Sequence, residues 1–159
     1  MNPANFRKIC GQFATGVTVL TTTVNGKLHG ITVNSFTSVS LDPPIILFCI
    51  DKKARFNPPL TAEKSLAINI LSEKQQEISN RFANPSLTNN ERFSGLQLLP
   101  DYDYPVFDEN MGVLIAQLKQ TRDGGDHWIY IAKVIEGQYF DGNPLIYYAG
   151  FYSRVNSKS

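Results

Sequence analysis

The sequence predicts a mainly β domain, a closed antiparallel barrel decorated by two or three helices. Six or seven short stretches rich in Val, Ile, Thr and aromatic residues recur along the 159 residues, and turn signals separate them. Helical periodicity is confined to a few short segments. At roughly 100–200 residues per domain, the length fits a single domain over residues 1–159 with a core of its own.

The elements follow in order. Asn2 can cap a first helix, Pro3 suits its first position, and Phe6, Ile9, Cys10 and Phe13 fall on one helical face, with Gly16 ending the segment. Val17 to Val24 is Val and Thr except for Leu20, which reads as a strand. Asn25-Gly26 then supplies the positive φ of a type I′ hairpin turn, so a return strand runs from Lys27 through Val33. Pro43-Pro44 introduces Ile45 to Ile50, apolar on both faces and expected to be a buried central strand. Ala54 to Glu63 is weakly helical and interrupted at Pro58-Pro59. Ser65 to Leu71 reads as another strand. Ser72 and Gln75 form a capping box that opens a helix with Ile78 and Phe82 inward. Residues 84–105 read as a long loop of the kind that carries a binding site or lid. Val113 to Thr121 and His127 to Val134 are joined across Arg122-Asp123-Gly124-Gly125-Asp126. A last strand, Leu145 to Ala149, follows the turn Asp141-Gly142-Asn143.

Composition narrows the function. A formal charge of +1, spread along the chain, argues against a nucleic-acid protein. The longest apolar run, Pro43 to Ile50, is far short of the roughly 20 residues of a membrane span. The first residues lack a signal peptide's apolar run, and Cys10 and Cys49 form no CxxC pair. The expectation is a cytoplasmic protein with reduced thiols and, with only His29 and His127 beside them, no structural zinc.

Standard catalytic templates are missing. There is no G-x-G-x-x-G and no G-x-S-x-G, and Val17 stands where a P-loop lysine would follow Gly11 to Gly16. The informative stretch is Gly30 to Pro44, where Thr32, Asn34, Ser35, Thr37, Ser38 and Ser40 crowd short hydrogen-bonding side chains together. At a strand's period of two, Thr32, Asn34 and Phe36 share a face. One reading is an exposed strand edge with a polar turn. The other is a cradle whose neutral donors satisfy the carbonyls of a planar heterocycle and the oxygens of its phosphate.

That stretch closely resembles the signature of the flavin reductase-like family, the small reductases of two-component flavin monooxygenases. The resemblance extends over nearly the whole chain. It includes Phe13 to Thr21, Ser65 to Leu71, Arg81-Phe82-Ala83, Glu91-Arg92-Phe93, Gly125-Asp126-His127-Trp128, and Pro144 to Tyr148 with Tyr152. It implies an antiparallel Greek-key split β-barrel of the FMN-binding type, usually a homodimer, that reduces FMN or FAD with NADH or NADPH. Hydride would pass from nicotinamide C4 to flavin N5, and a partner monooxygenase could receive the reduced flavin.

Carried over by residue, the resemblance sets Thr32, Val33, Asn34 and Ser35 along the isoalloxazine, and Ser38, Val39 and Ser40 along the ribityl chain and phosphate. Cys49 joins the cofactor-binding set, and Asp51, Lys52, Lys53 and Arg55 match the phosphate segment. His127, by itself an ordinary turn residue beside Asp126, falls next to the nicotinamide. Tyr152, with Phe151, packs over the same pocket, in the core or in a dimer interface. The chain departs from the family pattern at Ala54, where relatives often carry a hydroxyl, which shifts phosphate binding onto Lys53 and Arg55. It departs again at Ala149-Gly150-Phe151, where a basic residue is common, which leaves NADH against NADPH open. A non-catalytic flavin-binding protein on the same barrel is the alternative, and a haem or pyridoxal phosphate ligand on that fold is a further one.

Overall fold

The computed structural model describes residues 1–57 and 60–155, so the interruption expected at Pro58-Pro59 lies outside the described residues. Helix α1 (Pro3–Cys10) begins as the sequence predicts, with Asn2 Oδ1 accepting from the Asn5 amide at 2.9 Å and Pro3 in the first turn. It ends at Gly11 rather than Gly16, because the chain is already extended in β1 (Thr15–Gly16). Its apolar face is not inward either: Phe6, Ile9 and Phe13 are 60%, 59% and 79% exposed.

Strands β2 (Thr18–Val24) and β3 (Lys27–Val33) form the expected hairpin. Asn25 and Gly26, at φ 50° and 72°, make its turn. Strand β4 (Thr37–Leu41) is the exposed strand edge that one reading of the polar stretch predicts, and it pairs with β5 (Pro44–Asp51). Strand β5 is central, as predicted, but only one of its faces is fully buried. Ile46, Phe48 and Ile50 enter the core, whereas Ile45, Leu47 and Cys49 are half-buried. The strand covered on both faces is β6 (Ser65–Ile70), where Leu66, Ala67, Ile68 and Asn69 are all buried between β2 and β7 (Gly112–Gly124).

A 3-10 turn, Glu73–Gln75, leads into α2 (Gln76–Ala83), with the Gln75 side chain accepting from the Ser72 amide at 2.9 Å. The segment read as loop contains a short helix, α3 (Asn89–Phe93), capped by Thr88 and Glu91. Strands β7 and β8 (His127–Tyr139) make the longest hairpin and run well past Thr121 and Val134. The expected last strand is two, β9 (Ile146–Tyr148) and β10 (Phe151–Ser153). Ala149 and Gly150, both at positive φ, turn the chain between them.

All pairings are antiparallel, in a seven-stranded sheet ordered β3-β2-β6-β7-β8-β5-β4 and a small sheet β1-β9-β10. The expected closure is not formed among the described residues, since β3 and β4 are the two edges of the large sheet. Beyond the last β4–β5 pair, Thr37–Leu47, the end of β5 is covered by a side chain instead of a strand. Ser35 Oγ donates to the Cys49 carbonyl at 2.8 Å and accepts from the Cys49 amide at 2.9 Å, so a side chain occupies the groups another strand would need.

Two buried polar contacts hold the loops to this sheet. Asn69 on β6 accepts from the Phe107 amide and from Asn110 Nδ2, and donates to the Val19 carbonyl and Thr21 Oγ1. Arg92 on α3 donates to the Gly30 carbonyl at 2.8 Å. Gly30 also lets α2 approach β3, because a Cβ there would stand 2.3 Å from the Phe82 ring. Gly30→Ala therefore displaces Phe82, and urea denaturation should show a loss of about 1–3 kcal/mol.

His29 Nδ1 accepts from Asn89 Nδ2 at 3.0 Å and so helps seat α3 in its neutral form. Burial, then the charges of Lys27 and Lys64, hold its imidazole below the ordinary 6.5. The unfolded chain thus takes up this proton first as pH falls through 6.5, and its contribution to stability is lost below that point. Thermal melts from pH 7.5 to 5 should show that decline, and His29→Gln should flatten it.

Candidate functional site

Seven of the residues expected to bind a ligand (Thr32, Val33, Asn34, Asp51, Lys53, Arg55 and Tyr152) gather around β3 and the C-terminal end of α2, in two cavities that share Ala83. The first, about 200 Å³, is lined by Val17, Thr32, Val33, Asn34, Ser79, Ala83, Tyr147 and Tyr152. Its walls are cross-linked. The Thr32 hydroxyl donates to the Ser79 carbonyl at 2.7 Å, and Ser79 Oγ and the Tyr152 hydroxyl share a hydrogen bond at 2.7 Å. The Tyr147 and Tyr152 rings meet edge to face at 5.4 Å. Thr32 and Tyr152, 120 residues apart in number, are thus bound to one helical residue. Asn34 is exposed at the rim, with Nδ2 donating to Thr15 Oγ1 at 3.3 Å.

The second cavity, about 340 Å³, lies between β3, α2 and the segment after β5. Asp51, Lys53 and Arg55 line it, as does Arg92. Three cations face one carboxylate, and Asp51 Oδ1 already accepts from the Lys53 amide at 2.8 Å. The balance is positive, as an anion's site requires. Arg55 donates to the Pro85 carbonyl. Arg92 is 9% exposed, and its Nε has no hydrogen-bond partner. Burial, then the Arg55 charge, pull its guanidinium below the ordinary value.

Lys52 is engaged elsewhere. Its ammonium meets Asp123 at 2.5 Å and lies 4.5 Å from the centre of the Trp128 ring, while its amide donates to the Asp126 carbonyl. These contacts tie the end of β5 to the β7–β8 turn. That pairing sets His127 opposite Asp51 in register. His127 Nδ1 lies 2.7 Å from Asp126 Oδ1, and that hydrogen bond holds the Asp126 carboxyl below its usual range. Since a carboxylate only accepts, it is Nδ1 that donates to Asp126, which in the neutral ring leaves Nε2 as the acceptor nitrogen.

The remaining expected residues are on or beside the edge strand. Ser38 and Val39 are exposed on β4 and Ser40 is half-buried. Cys49 is held by Ser35, and burial pushes its thiol up. Ser79, Ala83, Tyr147 and Arg92 were not assigned from sequence. Arg92 stands in a segment that carried the resemblance, but an arginine inside an apparent loop has no signal of burial.

Residues 10–156 match the family described as Flavin reductase like domain. The chain belongs to the flavin reductase-like family. An FMN reductase (NADH), SmoA, of Agrobacterium fabrum is 36% identical over 162 residues, covering 98% of this chain and 87% of that protein. The reductase component of a 4-nitrophenol 4-monooxygenase/4-nitrocatechol 2-monooxygenase of Rhodococcus opacus is 32% identical, covering 94% of this chain and 80% of that protein. Among solved structures, the NADH:FAD oxidoreductase SgcE6 of Streptomyces globisporus, in complex with NAD and FAD fragments, superposes with a TM-score of 0.91 at 29% identity. It covers 99% of this chain and 95% of that one. The family match includes both cavities and the His127 turn.

Proposed function

We propose that this member of the flavin reductase-like family is an NADH-dependent flavin reductase on a split β-barrel, passing reduced flavin to a separate monooxygenase. The carrying observation is the pair of cavities meeting at Ala83, one walled by hydroxyl and aromatic side chains and one by Lys53, Arg55 and Arg92. A flavin has those two chemistries at its two ends. The names of the Agrobacterium and Rhodococcus relatives support the reductant and the partner.

A bound FMN or FAD would supply the acceptor for a hydride from nicotinamide C4. The chain's own residues bind and orient. Asn34 at the rim offers the isoalloxazine an amide, and Thr32, locked to Ser79, fixes the strand beneath it. Lys53 and Arg55 receive the phosphate through charge-assisted hydrogen bonds. With its Nδ1 proton directed at Asp126, His127 presents Nε2 as an acceptor for the nicotinamide carboxamide and takes no proton in the reaction. Lys52, through Asp123 and Trp128, holds the turn that carries His127.

The exposed Phe6 and Ile9 on α1, with Phe13 just beyond its end, support a homodimer, because large apolar side chains are costly to leave in water. Sedimentation equilibrium should give twice the chain mass, and Phe13→Glu should shift it toward the monomer; a wild-type monomer would count against the dimer.

The activity is read from NADH oxidation at 340 nm with FMN, then FAD, then no added flavin. Turnover should require flavin, and His127→Ala should raise the KM for NADH about tenfold while leaving flavin affinity within about threefold. A protein that holds flavin but oxidises neither NADH nor NADPH would instead be a binding module.

A further inference from the structure

We propose that Arg92 is what makes the site select a phosphorylated flavin over riboflavin, an inference that rests on the flavin reading above. The observation is a buried cation with an incomplete set of partners. A guanidinium carries five N–H donors. Here Nη1 gives one to the Gly30 carbonyl at 2.8 Å, Nη2 gives one to the Asn84 carbonyl at 2.7 Å, and Nε gives none.

Among the described residues no carboxylate lies within ion-pair distance of Arg92. Its charged neighbours in the cavity are Lys53 and Arg55, of its own sign, and Asp51, whose carboxylate already accepts from a backbone amide. A buried charge without a counter-charge costs several kcal/mol, and two carbonyl dipoles offset only part of that.

Fastening α3 to β3 does not by itself account for the charge, because a neutral amide could donate to the same carbonyls. A phosphate would supply the missing counter-charge. It acts on Arg92 through the field of the cavity and through the unused hydrogens on the Nη atoms, while Lys53 and Arg55 at the mouth make the outer contacts. Burial and the Arg55 charge already disfavour the protonated guanidinium, as expected of a cation lacking its anion. Riboflavin, which has no phosphate, would leave the buried charge uncompensated and should bind more weakly.

The test compares dissociation constants for FMN and riboflavin, by flavin fluorescence, in the wild type, Arg92→Lys and Arg92→Gln, with thermal melts of each. The wild type should prefer FMN by at least about tenfold. Arg92→Gln should lose about tenfold of that preference with riboflavin affinity nearly unchanged, and Arg92→Lys should keep most of it. A lower melting temperature with the same FMN-to-riboflavin ratio in Arg92→Gln would overturn the proposal, since Arg92 would then only pin α3. If Arg92→Gln does not fold, inorganic pyrophosphate added to the Lys53→Ala/Arg55→Ala protein decides, because Arg92 is then the remaining cation lining the cavity. Pyrophosphate should raise the melting temperature and displace FMN but not riboflavin, and no stabilisation would overturn the proposal. Stabilisation by pyrophosphate, with neither flavin binding the wild type, would support the anion site and overturn the flavin reductase reading instead.

Discussion

The architecture around the site depends on the missing side chain at Gly30. Phe82 occupies the space a Cβ would fill, so α2 lies directly on β3, and the buried carbonyl of the same glycine receives the Arg92 guanidinium. Two helices are thereby seated on one residue of an edge strand. Both cavities border this junction: Thr32, two residues on, is bound to Ser79 of α2, and Ile31, Phe82 and Arg92 line the basic cavity. A wider residue at position 30 would separate α2 from β3 and disturb both at once.

Much of this was legible in the sequence where a local rule sufficed. Asn2, Asn25-Gly26 and Gln75 each act through neighbours a few residues away, and each does what its residue type dictates. The misreadings come from tertiary partners. Periodicity marks the apolar face of α1, but not whether the domain has a surface to cover it. Both-face burial fell to β6, because sheet order, rather than apolar content alone, decides which strand is covered twice. Helix α3 was hidden by its loop-like composition, although Thr88 and Glu91 make a regular capping box. Among the site residues, Thr32, Asn34, Lys53 and Arg55 carry their chemistry openly. Ser79 and Arg92 matter because of what they touch across the fold, and spacing contains no trace of that.

The site also shows how a chain with a net charge of only +1 presents a strongly signed surface where it is needed. Lys52 is spent on Asp123 and Trp128, and Lys119 on Glu63, so those cations add little field. Lys53, Arg55 and Arg92 share one concavity with a single carboxylate. The basic residues thus divide into those neutralised by a carboxylate and those whose charge is left for an anion.

The most direct test is a crystal structure of the protein with FMN. The phosphate should lie between Lys53 and Arg55 with Arg92 behind it, and the isoalloxazine should extend past Asn34 toward the His127 turn. FMN bound with its phosphate away from the Lys53, Arg55 and Arg92 cavity would contradict the account.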